Sequence, residues 1–396
     1  MPDRTSRSHD IVVLGATGFT GALTAEYLAR NAPSDCRWAI AGRSEVKLAA
    51  VRERLAAIDP ALAELPLLTA DVTDAASIKE LAESARVVVT TVGPYLEHGE
   101  PLVAACAEAG TDYVDLTGEP EFVDRMYLAH HERAVATGAR LVHACGFDSI
   151  PYDLGVLFTV KQLPSGVPLS VRGVVRAGGA LSGGTFHSAL EQMARGKQMQ
   201  EASKERKRVE PRPEGRRVRA TGSATPRKDP DLGYWLIPMP TLDPIVVKRS
   251  AAARDDYGPE FSYQQFMGFK TLPMAGGMAA AMVGLVTAAQ VPLARDLLKK
   301  KVPQGGGPSD GKREKSWFTV DLVGEGGGEK VRTRVAGGDP GYGETAKMVA
   351  ESALSLVFDD NPSAAGQVTT AQAMGENLLD RLSKAGISFT VESNQT

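Results

Sequence analysis

A short apolar run, Ile11-Val12-Val13-Leu14, ends in Gly15-Ala16-Thr17-Gly18-Phe19-Thr20-Gly21, and helical spacing follows at Leu23, Tyr27 and Leu28. This junction constrains the chain more than any other stretch. A strand that turns on glycine into a helix aims backbone N–H groups and the positive end of the helix dipole at one point, where an anion is favoured. Gly15 permits the sharp turn, Gly18 lets backbone approach a pyrophosphate, and Gly21 permits close packing of helix on strand. The spacing is GxxGxxG rather than GxGxxG, and a bare glycine triplet can also be a structural turn. Its place between a strand and a helix is the context that dinucleotide binding requires.

The alternation continues. The patterning predicts strands at 38–41, 67–70, 87–92, 113–116 and 141–144, with helices at 20–31, 45–58, 74–85, 101–109 and 121–136. Nearly unbroken apolar strands such as 87–92 are those of a sheet covered on both faces. The expected fold is α/β: a Rossmann-type doubly wound parallel sheet over residues 1–165. Residues 166–336 are richer in Gly and Pro and predict a second, α+β domain for substrate binding and dimer formation. Its antiparallel strands are expected at 169–176 and 317–335, with a hairpin turn at Gly326-Gly327-Gly328 and a helix at 182–204. A polar stretch, 201–228, reads as a mobile loop, and 304–312 as a Gly-rich linker. Residues 337–396 predict a C-terminal helical segment.

Lys and Arg number 45 against 48 Asp and Glu, a net charge of −3, which argues against a nucleic-acid partner. Cys36, Cys106 and Cys145 are scattered, so neither a disulfide framework nor a zinc pattern is expected, and the compartment reads as cytoplasmic and reducing. His130 and His131 are adjacent on a helix and face different ways, so no metal site is expected. No secretory leader precedes the first strand.

The second strand ends in Arg43-Ser44, where an NAD enzyme would offer a carboxylate to the ribose; a cation and a hydroxyl suit the 2′-phosphate of NADPH instead. A solvated arginine is the plain alternative. Asp71 closes the third strand beside the expected adenine position. Val92, Gly93 and Pro94 close the fourth, where glycine lets backbone meet the ribose or nicotinamide. The cofactor-binding set is therefore Gly15, Thr17, Gly18, Phe19, Thr20, Gly21, Arg43, Ser44, Asp71, Val92, Gly93 and Pro94.

Gly15–Gly21, Ala41-Gly42-Arg43, Thr91-Val92-Gly93-Pro94-Tyr95, Tyr113-Val114-Asp115-Leu116-Thr117-Gly118-Glu119 and Cys145-Gly146-Phe147-Asp148-Ser149-Ile150-Pro151 occur in that order. The series resembles the saccharopine dehydrogenase-like oxidoreductases, and among them most the trans-acting enoyl reductases of lipid and polyketide assembly. The resemblance covers residues 9–160 well and the rest loosely. It implies a Rossmann domain, an inserted substrate domain, C-terminal segments that pack back on the first domain, and NADPH-dependent reduction. It does not by itself fix the substrate, and hydride transfer to the β-carbon of an enoyl thioester is the activity expected. Such a reaction needs a proton donor at a strand end, and Tyr95, His143, Asp148 and Tyr152 are the candidates. His143 could equally be a core histidine, Asp148 a helix cap and Asp115 a structural acceptor.

Two rivals stand beside this reading. A saccharopine-type amino-acid dehydrogenase would want an arginine clamp for carboxylates, and Arg172 and Arg176 share one strand face. A non-catalytic NADP-binding, lipid-associated protein would keep the glycine loop without the acid. Residues 195–228 hold 12 Lys or Arg and 4 Glu, a surface for an acidic carrier domain bearing the acyl thioester, an anionic membrane or a CoA phosphate. Residues 271–294 carry no charge. They predict a helix that walls an acyl tunnel, skims or spans a membrane, or fills a core.

Overall fold

The computed structural model describes residues 5–179, 183–220, 226–239, 241–302 and 307–395. Apolar side chains on both faces drive the first strands into the middle of a sheet covered on both sides. These are β1 (His9–Leu14), β2 (Trp38–Gly42), β3 (Leu67–Thr69), β4 (Ala85–Thr90), β5 (Asp112–Asp115) and β6 (Arg140–Val142). They pair in parallel in the order β6-β5-β4-β1-β2-β3. The crossovers carry α1 (Phe19–Asn31), α2 (Glu45–Ala56), α3 (Ala75–Ser84), α4 (Tyr95–His98), α5 (Glu100–Ala109) and α6 (Pro120–Thr137). Strand order reverses between β1 and β4, which opens a crevice at the carboxyl ends of these strands.

α7 (Ile150–Val160) leaves this sheet for a second one and is buried at every position except Phe158. A Cβ on Gly155 would lie 2.9 Å from Val335, so the helix packs directly on the second sheet. That sheet contains β7 (Leu169–Gly178), β8 (Arg217–Ala220), β9 (Arg227–Lys228), β10 (Trp235–Pro238), β11 (Glu260–Phe269), β12 (Trp317–Gly326) and β13 (Glu329–Gly337). β7 runs antiparallel to β12 and parallel to β11. The β12–β13 hairpin closes on Gly327 (φ 61°) and Gly328 (φ 86°), the paired left-handed conformation that a two-residue turn needs. Between these strands lie α8 (Gly183–Ala194), α9 (Gly196–Val209), α10 (Asp243–Ala253), α11 (Leu272–Ala289), α12 (Pro292–Lys301) and α13 (Asp310–Arg313).

The last residues serve both sheets. α14 (Gly343–Phe358) packs on β1, β4, β5 and α1, and β14 (Gly366–Val368) extends the first sheet beside β6. After α15 (Thr370–Ala373) and α16 (Gly375–Lys384), β15 (Ser388–Gln395) pairs with β13. One apolar core runs from Val13 and Val89 through Val156 to Leu322 and Val349.

Four local expectations are corrected. Residues 201–228 are not simply a loop: α9 carries a stripe of Ala202 and Arg206 buried against α6, and β8 joins β11. The helix expected at 182–204 is two helices meeting at Arg195-Gly196, and its first residue, Ser182, lies outside the described residues. The linker expected at 304–312 also begins outside them, and its described part forms α13. The charge-free segment is no core helix, since α11 buries only Ala275 and Ala289.

Candidate active site

The crevice is built by the loops after β1, β2, β4, β5 and β6. Gly15 takes φ 90°, and a Cβ there would lie 2.8 Å from Thr91 Oγ1. A Cβ on Gly21 would fall 2.2 Å from the Gly15 carbonyl oxygen, so α1 meets the loop at a distance only glycine allows. At Gly18 the nearest atom would be 3.3 Å away, and Thr17 and Gly18 are exposed. No side chain caps α1. Its N-terminal amides and dipole therefore form a cradle that fits a pyrophosphate. Phe19 is covered on its ring by Tyr342, 4.8 Å away edge-on, so it supports the loop from behind.

Arg43 is exposed at the end of β2 and has no ion pair among the described residues. Ser44 Oγ accepts the Lys47 N–H at the start of α2, which leaves its hydroxyl hydrogen to donate. Asp71 is folded into its own turn, and the bonds from the Thr73 N–H and hydroxyl hold its carboxylate below the usual range. Gly93 is exposed after β4, and the Gly93–Pro94 peptide is cis.

The four acid candidates divide sharply. Tyr95 is buried; its hydroxyl donates to the Thr90 carbonyl at 3.2 Å and accepts the Leu116 N–H at 3.2 Å. That hydroxyl ties two strand ends together, and burial pushes the phenol up. His143 is 5% exposed, with Nδ1 2.7 Å from Asp115 Oδ2 and its ring edge-on to Tyr113 and Phe122. Asp115 also accepts Tyr113 O–H at 2.9 Å and the N–H groups of Thr117 and Ala144. Asp115 is thus a structural acceptor that fixes the His143 ring through Nδ1, while His143 Nε2 is buried with no hydrogen-bond partner among the described residues, so His143 stays a candidate proton donor. Glu119 caps α4 from across the crevice, accepting the Tyr95 and Leu96 N–H groups and the Ser188 hydroxyl.

Asp148 and Tyr152 behave differently. Asp148 caps nothing: α7 starts after Ser149 without a side-chain bond. Its carboxyl lies 3.2 Å from where a Cβ of Gly118 would be, and desolvation raises it to about 6. In the second domain Asp243 lies at the first turn of α10 and is 1% exposed. Asp243 Oδ2 accepts Gln265 Nε2 at 2.7 Å and the Thr241 hydroxyl, while Oδ1 is buried without a partner. Burial, and then the charge of Asp148, raise Asp243 to about 8. The Tyr152 hydroxyl is buried without a partner in the field of both carboxyls, and Tyr263 O–H braces Gln265 Oε1 at 3.0 Å. Sequence reasoning missed Asp243, Thr241, Tyr263 and Gln265. In sequence, Asp243 before Pro244 reads only as an acidic residue at a helix start.

Beside Pro94 a cavity of about 270 Å³ opens between α6 and α8, apolar at Leu96, Phe122 and Met126 and closed by an Arg195–Glu121 pair at 2.7 Å. Arg172 and Arg176 make no carboxylate clamp. Arg172 is paired with Asp229 and Asp231, and Arg176 donates to Tyr234 O–H at 2.8 Å and stacks on its ring. In the basic stretch, Arg206 is 3% exposed; it lies 3.9 Å over the Tyr127 ring and is bonded to Glu210. Burial, then the charge of Arg249, lower it to about 10. Arg216 binds the Gly258 and Ala251 carbonyls, while Lys207, Arg208, Arg212 and Arg217 remain exposed.

Comparison with known proteins agrees with this architecture. The saccharopine dehydrogenase NADP binding domain matches residues 11–142. A Mycobacterium tuberculosis protein provisionally named a trans-acting enoyl reductase is 39% identical across 97% of this chain and 98% of its own length. The trans-acting enoyl reductase of Mycobacterium leprae is 35% identical, covering 98% of each chain. Among solved structures, apo saccharopine dehydrogenase (L-Glu forming) from Saccharomyces cerevisiae superposes with a TM-score of 0.57 at 12% identity, over 98% of this chain and 100% of that one. That likeness speaks to the fold: a Rossmann-type domain joined to a second sheet. The chain is an NADP-dependent oxidoreductase.

Proposed function

We propose, for a chain that belongs to the trans-acting enoyl reductase family of saccharopine dehydrogenase-like oxidoreductases, that it reduces the double bond of an enoyl thioester during lipid or polyketide assembly. Thr17, Gly18 and the N-terminus of α1 would hold the pyrophosphate of NADPH, Arg43 and Ser44 its 2′-phosphate, and Val92, Gly93 and Pro94 would border its nicotinamide end. Bound NADPH would supply a hydride to the β-carbon of the substrate.

The observation that carries the reading is the Asp148–Asp243–Tyr152 cluster where the two domains meet. Hydride addition leaves an enolate that needs a proton at its α-carbon. A carboxyl raised to about 8 still holds its proton at neutral pH. Asp148, raised to about 6 by burial, adds its charge to the burial that keeps Asp243 protonated. Asp148, at the loop after β6, is the member that faces the crevice; Asp243 is the buried reservoir, held by Gln265 and Thr241. The exposed Lys207, Arg208, Arg212 and Arg217 suit the approach of an acidic carrier bearing the acyl chain.

The test uses NADPH deuterated at the transferred position and a panel of enoyl thioesters on CoA and on carrier protein. Deuterium at the β-carbon and a solvent proton at the α-carbon, read by mass spectrometry, are expected. Turnover of amino-acid imines with no reduction of any enoyl thioester overturns the reading.

A further inference from the structure

Eight of the fifteen exposed large apolar side chains among the described residues fall between Leu272 and Leu297. Met274 is 56% exposed, Val283 68%, Val291 51% and Leu293 72%. Patches of this density on a protein surface mark something that covers them. α11 is apolar all round, with a mean hydropathy of 1.6, and it is the one helix among the described residues long and apolar enough to cross a membrane.

The way it is anchored argues against crossing. Ala275 and Ala289, one near each end of α11, are both fully buried against the body. Fourteen residues apart, they pin about 21 Å of helix lengthwise on the surface. α11 also packs on α8, β10 and β11, and the Gln290 side chain donates to the Met193 carbonyl at 2.6 Å. The helix therefore lies along the protein with one long side uncovered, and α12 continues that side through Leu293 and Leu297.

Charge identifies the occupant. From 270 to 301 the chain has Lys270, Arg295, Lys299, Lys300 and Lys301 against the single Asp296, in a protein of net charge −3. Arg295 and Lys299 pair with Glu191 on α8, while Lys270, Lys300 and Lys301 are exposed. A second copy of this chain would bring the same cations against these, which is unfavourable. An anionic lipid surface offers both the apolar phase and the opposite charge.

We infer that the α11–α12 hairpin docks the enzyme on an anionic bilayer, with its uncovered side at the boundary of headgroups and acyl chains. Its use needs no turnover.

The test is flotation of the full chain with vesicles of phosphatidylcholine alone and of equal parts phosphatidylcholine and phosphatidylglycerol. Binding to the anionic vesicles only, weakening as salt rises, is expected. Val283→Glu with Leu293→Glu should weaken it by about tenfold or more. Lys300→Glu with Lys301→Glu should weaken it by about fivefold or more. Because all four side chains are exposed, the thermal midpoint should stay where it was, which separates lost docking from lost folding. The inference is overturned if the wild type ignores anionic vesicles or if the Glu pair binds as well as it does. It is equally overturned if sedimentation shows a dimer that Val283→Glu splits while neither form floats, since a second copy then covers the face.

Discussion

Asp243→Asn separates a structural carboxylate from a stored proton. In the folded chain Asp243 is raised from 3.8 to about 8, by burial first and then by the charge of Asp148. Below pH 3.8 the folded and unfolded states are both protonated, and the stabilising contribution of the neutral acid is fully present. Between the two values the unfolded chain ionises while the folded chain keeps its proton, so stability falls with rising pH by about 1.4 kcal/mol per unit. From pH 5 to 7.5 this comes to roughly 3 kcal/mol. Asparagine keeps an oxygen for Gln265 Nε2 and the Thr241 hydroxyl but never ionises. The variant's gain over wild type should therefore be roughly 3 kcal/mol larger at pH 7.5 than at pH 5, or half that if the site relaxes. Urea and thermal unfolding at the two pH values measure it; for a chain of this length the thermal gain is several degrees, at about 1–2 °C per kcal/mol. Enoyl reduction should fall by about 10²- to 10⁴-fold, since the reservoir is gone. A variant equally destabilised at both pH values would refute the reasoning, because Asp243 would then be an ionised group with a partner.

Further outcomes follow from the same contacts. Arg43→Ala should cut NADPH affinity by about tenfold or more and leave NADH affinity alone, as judged by fluorescence titration of both cofactors, because a charge-assisted bond is worth about 1.5–3 kcal/mol. Gly18→Val should abolish NADPH binding with the fold retained, whereas Gly21→Ala should lower the thermal midpoint itself, since its Cβ would fall 2.2 Å from the Gly15 carbonyl oxygen. Arg206→Glu should destabilise the chain by about 3–5 kcal/mol in urea unfolding, because Arg206 is a buried cation bonded to Glu210. Reversing the exposed Lys207, Arg208 and Arg217 should leave stability within about 0.5 kcal/mol and slow only carrier-bound substrate at low salt.

Local patterns were legible wherever the chemistry is local. The strand–glycine–helix junction needs residues 11–28 and little else, because the turn, the uncapped amides and the dipole are all set within one βα unit. The apolar strands and the Gly327-Gly328 turn declared themselves for the same reason. What the tertiary structure alone decided is which polar groups are satisfied and which are not. Tyr95 looked as able to give a proton as Tyr152 did, until Thr90 and Leu116 were found bonded to it, whereas His143 is bonded on one ring nitrogen only. Arg206 looked like part of a solvated basic surface, because nothing near it in sequence announces Tyr127 or Val123. Asp243 is about a hundred residues from Asp148, and their coupling exists only because α7 carries the chain from one sheet to the other. Burial, desolvation and hydrogen-bond satisfaction are sums over neighbours in space, so no window of sequence contains them. The same holds for α11, whose composition allowed a core helix, a tunnel wall or a membrane segment, and whose exposure depends on what packs beside it.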